Sequence, residues 1–469
     1  KRLIYKRGEQ MNGFKLRGVV EGFYGKPWTW QERKDMIRFM GENGYTLYIY
    51  APKADQLHRD QWRQMYEGAF EENFQSLIDT GKTAGVDISM AISPGLSLVH
   101  SDETDLNILK QKYLTFAAMG VRTISLFLDD IPPELIHQKD KQTYQSLAHA
   151  QSDFANQLYL SLANEIKNIR FILCPTIYHG TTMCQYHHTL GEKLHKDIQI
   201  MWTGPKVCSE KLTVENAQMV AKAFNRKPLF WDNFPVNDSV MVPELHIGRF
   251  SGRDGNLGTV CEGFIVNPMN QAYASMSVLK NISFYLNDPQ QYNPDEALMK
   301  SFEQMYPQIS SEMLTFSKAC NTSPLNPGDP EITVLLLEQL EQLRKKGQLK
   351  QMSILLNENS RLICEAYDRI VEKIDQNLLA DIEPWLNEYI YYGRLMNQMA
   401  SVLEKIEVVY RDEHPPAKTI DAIHEANRQL EKSLEELARL KTRIFGKGLR
   451  EYALELAITC KGLVKLVDW

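Results

Sequence analysis

Two carboxylates stand side by side at Asp129 and Asp130, followed by Ile131-Pro132-Pro133-Glu134. Adjacent like charges resist double ionisation, so one member of such a pair is expected to titrate high and serve as a general acid. Their Cα atoms lie about 3.8 Å apart, and strand alternation would aim them at opposite faces. Both reach one pocket only where the ladder ends. The following prolines favour such an end, since proline cannot donate to a ladder. The plain alternative for an isolated Asp-Asp is a solvated turn or helix cap. A metal site would want more carboxylates or histidines at ligand spacing. His187-His188, with Cys184 and His195 nearby, comes nearest to such a set. It matches no zinc spacing, so no metal is expected.

Other candidates suit a polar, ring-shaped ligand. Tyr24, Tyr178, Trp202 and Trp231 pair a ring face with a polar handle, as a sugar's apolar face and hydroxyl rim would require. They could equally be core residues. Asn233, Asp238 and Asn267 can bond hydroxyls in pairs, although a loop Asn or Asp is more often a turn residue. Lys53 would be an ordinary surface lysine but for its place after an apolar run.

The elements that must position these residues alternate. Strands are expected over 16–22, 45–51, 87–93, 122–129, 170–176, 198–203, 228–232 and 263–267. Helical patterns fall between them, for example over 30–43, 73–84, 110–119, 143–167 and 214–224. About eight strand–helix units in under 300 residues predict a (β/α)8 barrel. A doubly wound open sheet is the rival, but no GxGxxG follows the first strand. In a barrel the carboxyl ends of the strands share one mouth, and the candidate residues sit at those ends. From about residue 293 the pattern turns helical, with five or six helices expected and Asp381 and Pro384 reading as one helix start. Asn, Ser, Pro, Gly and Asp cluster over 321–330. The expected division is an extension or tag remnant over 1–13, a catalytic barrel over 14–320 and an all-α bundle over 321–469.

Composition narrows the class. The 469 residues are 43% hydrophobic and 24% charged, with a net charge of −6. Those values exclude wholesale disorder, and the acidic balance disfavours a nucleic-acid partner. No run approaches the roughly 18 apolar residues of a membrane span. Lys1–Gln10 carries charge and no apolar core, so no signal peptide is read there, although a missing first Met leaves room for trimming. Seven widely spaced cysteines without CxxC read as reduced core thiols, which favours the cytoplasm over secretion.

The segment Arg17-Gly18-Val19-Val20-Glu21-Gly22-Phe23-Tyr24-Gly25-Lys26-Pro27-Trp28 resembles the opening of glycoside hydrolase family 84. Tyr48–Asp55, Ala91–Leu96, Asp129-Asp130, Trp202–Pro205, Trp231-Asp232-Asn233 and Asn267-Pro268 continue the likeness in order, over about residues 14–290. The family holds O-GlcNAcases, which remove β-linked N-acetylglucosamine from Ser and Thr. Two departures stand out: about 13 residues precede the barrel where bacterial relatives often carry an accessory domain, and no acetyltransferase-like domain follows. The loop 181–188 matches no family motif.

The resemblance implies a retaining β-N-acetylglucosaminidase in which the substrate's own acetamido oxygen attacks, giving an oxazoline. It implies that Asp129 holds the acetamido N–H and that Asp130 is acid and then base. Gly22 would offer its carbonyl to a hydroxyl, and Lys53, Asp238 and Asn267 would hold others. Tyr178 would bond near the anomeric centre or acetamido oxygen. Thr203 and Trp231 would wall the acetamido pocket, with Asn233 supporting Asp129. No cofactor is required. The expected partner is a carbohydrate or glycoprotein, with no membrane, and the helical half either lines the cleft or makes a homodimer. A non-catalytic carbohydrate-binding or scaffold protein on the same barrel is the alternative, and a metal-dependent hydrolase a third reading.

Overall fold

A computed structural model describes residues 13–411 and 417–467. Apart from Gly13, the expected N-terminal extension lies outside the described residues. Eight strands follow: β1 (Leu16–Glu21), β2 (Leu47–Tyr50), β3 (Asp87–Ile92), β4 (Thr123–Phe127), β5 (Arg170–Cys174), β6 (Ile198–Trp202), β7 (Leu229–Asp232) and β8 (Gly263–Val266). They pair in parallel in chain order and β8 closes on β1, so the sheet is a closed (β/α)8 barrel and not an open one. Every strand begins and ends within two residues of its expected position. Strand alternation turns Val20, Ile49, Phe127, Ile172, Met201 and Ile265 into one apolar core.

The helices on the outside show why local chemistry fixed them. Thr29 caps the helix Trp30–Glu42: its hydroxyl accepts from Glu32 N at 3.2 Å, and Glu32 accepts from Thr29 N. The same helix is locked to β1 by Arg33, which donates twice to the fully buried Glu21, both at 2.8 Å. Removing one partner of such a pair leaves a buried charge unmatched, at about 3–5 kcal/mol.

Contacts divide the chain into two compact units. One runs to Ser239 and resumes over Phe250–Ala297; the other comprises Val240–Arg249 and the chain from Leu298. The expected join after residue 320 lies inside the second unit, because the helix Ser310–Ala319 packs on Leu349–Lys373. Val240–Arg249, read from sequence as part of the barrel, is held there by Trp385 Nε1 donating to Pro243 O at 2.8 Å and by an ion pair of Glu244 with Arg443.

From Pro294 onward seven helices are described. Pro384 does not start a helix; it lies inside Gln376–Arg411. The start signal is Asp375, whose carboxylate accepts from Asn377 N at 2.9 Å. Proline mid-helix removes one backbone hydrogen bond, but Trp385, Leu386 and Tyr389 just beyond it are buried, and their packing carries the helix through.

Candidate active site

At the carboxyl ends of the strands lies a cavity of about 430 Å³. Gly22 reaches it from β1, Lys53 from β2, Asp129 and Asp130 from β4, Tyr178 from β5 and Thr203 from β6. Trp231, Asn233 and Asp238 come from β7 and the loop after it, and Asn267 from β8. All ten residues singled out from sequence therefore line one space. β3 sends none; Ser93 instead donates its N–H to His58 O at 2.8 Å and steadies the loop after β2.

The two aspartates share the cavity through a backbone device. Ladder pairing stops with Leu128 N donating to Cys174 O, and Asp130 then takes a left-handed conformation, φ +55°. That turn re-aims the second carboxylate, which alternation alone would send to the other face. Asp129 is 5% exposed, whereas Asp130 is exposed. Lys53 Nζ bridges them, 2.5 Å from Asp129 Oδ2 and 3.8 Å from Asp130 Oδ2. Asp129 Oδ1 is buried and has no partner among the described residues. Asp130 receives two phenols: Tyr24 Oη donates to Oδ2 at 2.6 Å and Tyr178 Oη to Oδ1 at 2.8 Å.

The expectation of a high-titrating acid does not hold at Asp130. Burial pushes the Asp130 carboxyl up, but Lys53 and the two phenol bonds outweigh it and hold the group below the ordinary carboxylate range. Asp238, in the same cavity, is raised, through burial and the nearby charge of Asp130. Like-charge repulsion within the pair is offset by the lysine that sequence adjacency alone did not reveal.

The wall opposite is a seam of amides. Asn233 Oδ1 accepts from Trp231 Nε1 at 2.8 Å and from Asn267 Nδ2 at 2.9 Å, while its Nδ2 donates to Val207 O. All three bonds go elsewhere than Asp129, so the role of direct support for that carboxylate is corrected. Asn267 Oδ1 takes Gly22 N at 3.2 Å. A Cβ on Gly22 would stand 2.6 Å from the Trp231 ring, which is why only glycine fits. Behind the seam Asp232 is clamped by Arg253 at 2.6 and 2.8 Å, with both side chains buried. Thr203 spends its hydroxyl on Lys206 O at 2.9 Å, and Asp238 Oδ2 accepts from Tyr24 N at 2.7 Å.

Some candidates lie elsewhere. Trp202 is a fully buried core residue against His187 and Phe224. His187 uses both ring nitrogens, on Cys184 N and on Ile177 O, at the start of the helix Gln185–Lys193. That helix occupies part of the segment that matched no motif. Among the described residues no group of three or more His, Cys, Asp or Glu is placed to hold a metal ion. Sequence reasoning noted Tyr24 as a ring but missed its bond to Asp130. It also missed Asp55, which accepts from Tyr50, Tyr66, Leu57 N and His58 N and so pins the loop that carries Lys53. The spacing Lys53-Ala54-Asp55 was the signal.

Comparison with known proteins points the same way. The chain is 37% identical over 259 residues to the Protein O-GlcNAcase of Rattus norvegicus and, equally, to that of Mus musculus. The match takes in 54% of this chain but spans only 28% of those proteins' length. A mutant of the Thermobaculum terrenum O-GlcNAc hydrolase superposes with a TM-score of 0.92 at 33% identity, covering 97% of this chain and 98% of that one. CpGH84B superposes with a TM-score of 0.81 at 26% identity, over 94% and 77%. The sequence model of β-N-acetylglucosaminidases matches residues 17–318. Since that stretch holds the strand series from Arg17 onward and every residue of the cavity described above, the chain belongs to the β-N-acetylglucosaminidase family, glycoside hydrolase family 84.

Proposed function

We propose that this chain hydrolyses terminal β-linked N-acetylglucosamine, with O-GlcNAc on Ser or Thr of proteins as its substrate class, and that the ligand's acetamido group is the nucleophile. The observation that carries the reading is the unequal pair. Asp129 is buried beside Lys53 with one oxygen lacking a partner among the described residues, while Asp130 is exposed at the same cavity.

An unpartnered buried carboxylate oxygen is costly unless a donor meets it. The N–H of a 2-acetamido group is such a donor. Held there, the amide oxygen turns on the anomeric carbon, and its attack breaks the bond to the leaving oxygen. Asp130 gives that oxygen its proton. Water then adds at the same carbon, Asp130 takes a proton back, and the oxazoline reopens with configuration retained. Positioning an internal nucleophile in this way is worth about 7–11 kcal/mol at best. Neighbours on one strand are poorly placed to flank a bond as the usual nucleophile and acid do. Trp231, Thr203 and Tyr178 would wall the acetamido group. Gly22, Lys53, Asp238 and Asn267 would hold hydroxyls once the sugar competes for their present partners, and Asn233 would hold Trp231 in place. No cofactor enters the scheme.

Two further expectations belong to this proposal. A homodimer would form through the helical unit, which exposes Leu335, Leu454 and Ile458. The cytoplasm would be the compartment: all seven cysteines are free and four are buried. Among the described residues no helix is long and apolar enough to cross a membrane. The test is release of the aryl group from an aryl β-N-acetylglucosaminide, with the first-formed sugar anomer read by NMR. The β anomer is expected; no turnover, or the α anomer, contradicts the reading. A glycopeptide set against a free oligosaccharide then decides the substrate class.

A further inference from the structure

A carboxyl that gives up a proton must first carry it on an oxygen. Both oxygens of Asp130 already face hydroxyl donors, Tyr24 on Oδ2 and Tyr178 on Oδ1. Each oxygen keeps a second lone pair for the proton, but a leaving-group oxygen that approaches on the Tyr24 side meets a phenol already bonded there. Tyr178 packs against the barrel core. Tyr24 is 42% exposed, yet its backbone is fixed on both sides, with N donating to Asp238 at 2.7 Å and O accepting from Asn270 at 3.0 Å. Its side chain can therefore swing on a fixed stem. Arg59 stands behind it, with Nη1 donating to Tyr24 Oη at 3.3 Å and Nη2 to Asp130 O at 3.5 Å.

We propose that Tyr24, backed by Arg59, is a positioning residue that occupies Asp130 Oδ2 in the free enzyme and yields it to the leaving-group oxygen when an aglycone enters. The inference rests on the hydrolase reading and assigns the order of events at its acid. Burial pushes the Tyr24 hydroxyl up to about 12, so it stays a donor at working pH. The charges around Asp130 divide. Lys53 and Arg59 favour its ionised form, and Asp129 and Asp238 oppose it, with Tyr178 and the buried thiol of Cys174 as the remaining titratable neighbours. Removing the Tyr24 donor shifts that balance toward the protonated acid in the free enzyme only.

The test is the pH dependence of an aryl N-acetylglucosaminide with a poor leaving group, for the wild type and Tyr24→Phe. The basic limb of kcat/KM reports the acid in the free enzyme, and that of kcat the acid in the complex. Loss of one charge-assisted bond should move the kcat/KM limb upward by about one pH unit. The kcat limb should stay, because the phenol has already left in the complex. Arg59→Gln should move the same limb the same way by less, and reads the proposal should Tyr24→Phe fold poorly. Equal movement of both limbs, or a uniform fall in rate with neither limb moved, overturns it. A wild type that turns over no aryl N-acetylglucosaminide instead overturns the activity itself.

Discussion

At the carboxyl end of the barrel, Asp129, Lys53 and Asn267 are buried in company, each bonded to a side chain from another strand end. In the helical unit Glu388 is buried as deeply, and like Asp129 it has one carboxylate oxygen without a partner among the described residues, but no lysine is paired with it there. Burial pushes the Glu388 carboxyl up to about 7, against nearby polar groups and the charges of Arg450 and Arg443 that pull it down. A strongly raised carboxyl is often taken to mark a functional site. Here the raised carboxyl of the helical unit lines none of the described cavities, while the cavity's acid is held low by a cation and two phenols. Convergence of charge, donors and space marks the site better than perturbation of any single group.

Substitutions at the two ends of this contrast should separate them. Asp129→Asn should cost about 10³–10⁴ in kcat on activated and poor leaving groups alike, because no leaving group replaces amide positioning; steady-state rates on both aryl classes check it. Asp130→Asn should cost about 10²–10³ on a poor leaving group and only a few-fold on a dinitrophenyl one. Equal losses on the two substrates would take the acid role away from it. Lys53→Met removes the charge that does most to keep Asp130 ionised. The basic limb of kcat/KM should rise by about one pH unit or more, and an unmoved limb would leave the bridge without an electrostatic role. The smallest effect belongs to Glu388→Gln, where kcat/KM should stay within about two-fold, because the residue lines none of the described cavities.

Stability is where Glu388 should speak. Its folded value near 7 lies above the ordinary 4.5. The native state therefore holds the extra proton between those values, and stability is lost as pH rises through the upper one. Glu388→Gln escapes that loss. Melting curves should coincide near pH 4.5 and separate by a few degrees near pH 8.5, at about 2–4 °C per kcal/mol, with the variant higher. A variant that changes activity instead would dissolve the contrast between the two units.

The barrel and its mouth were legible because the signals are local. β-branched runs set the strands, Thr29 and Glu32 cap a helix within four residues, and strand ends converge by topology. What stayed hidden was relational. Nothing local to Asp129-Asp130 announces that Lys53, 76 residues earlier, lies between the two carboxylates. The left-handed turn at Asp130 was equally silent, since aspartate tolerates that conformation without glycine's signature. Asn233 was assigned to Asp129 by likeness, whereas its bonds run to Trp231 and Asn267. Pro384 misled because a proline reads as a boundary until the buried side chains beyond it are seen.

The central claim is that the ligand's own amide makes the displacement while Asp129 holds it. It is tested most directly by an aryl glycoside series in which the N-acetyl group carries zero to three fluorines. Each fluorine weakens the amide oxygen as a nucleophile and leaves the glycosidic bond unchanged. A steep, progressive fall in kcat/KM across the series is predicted, and rates that stay level would mean that a protein side chain or water makes the attack.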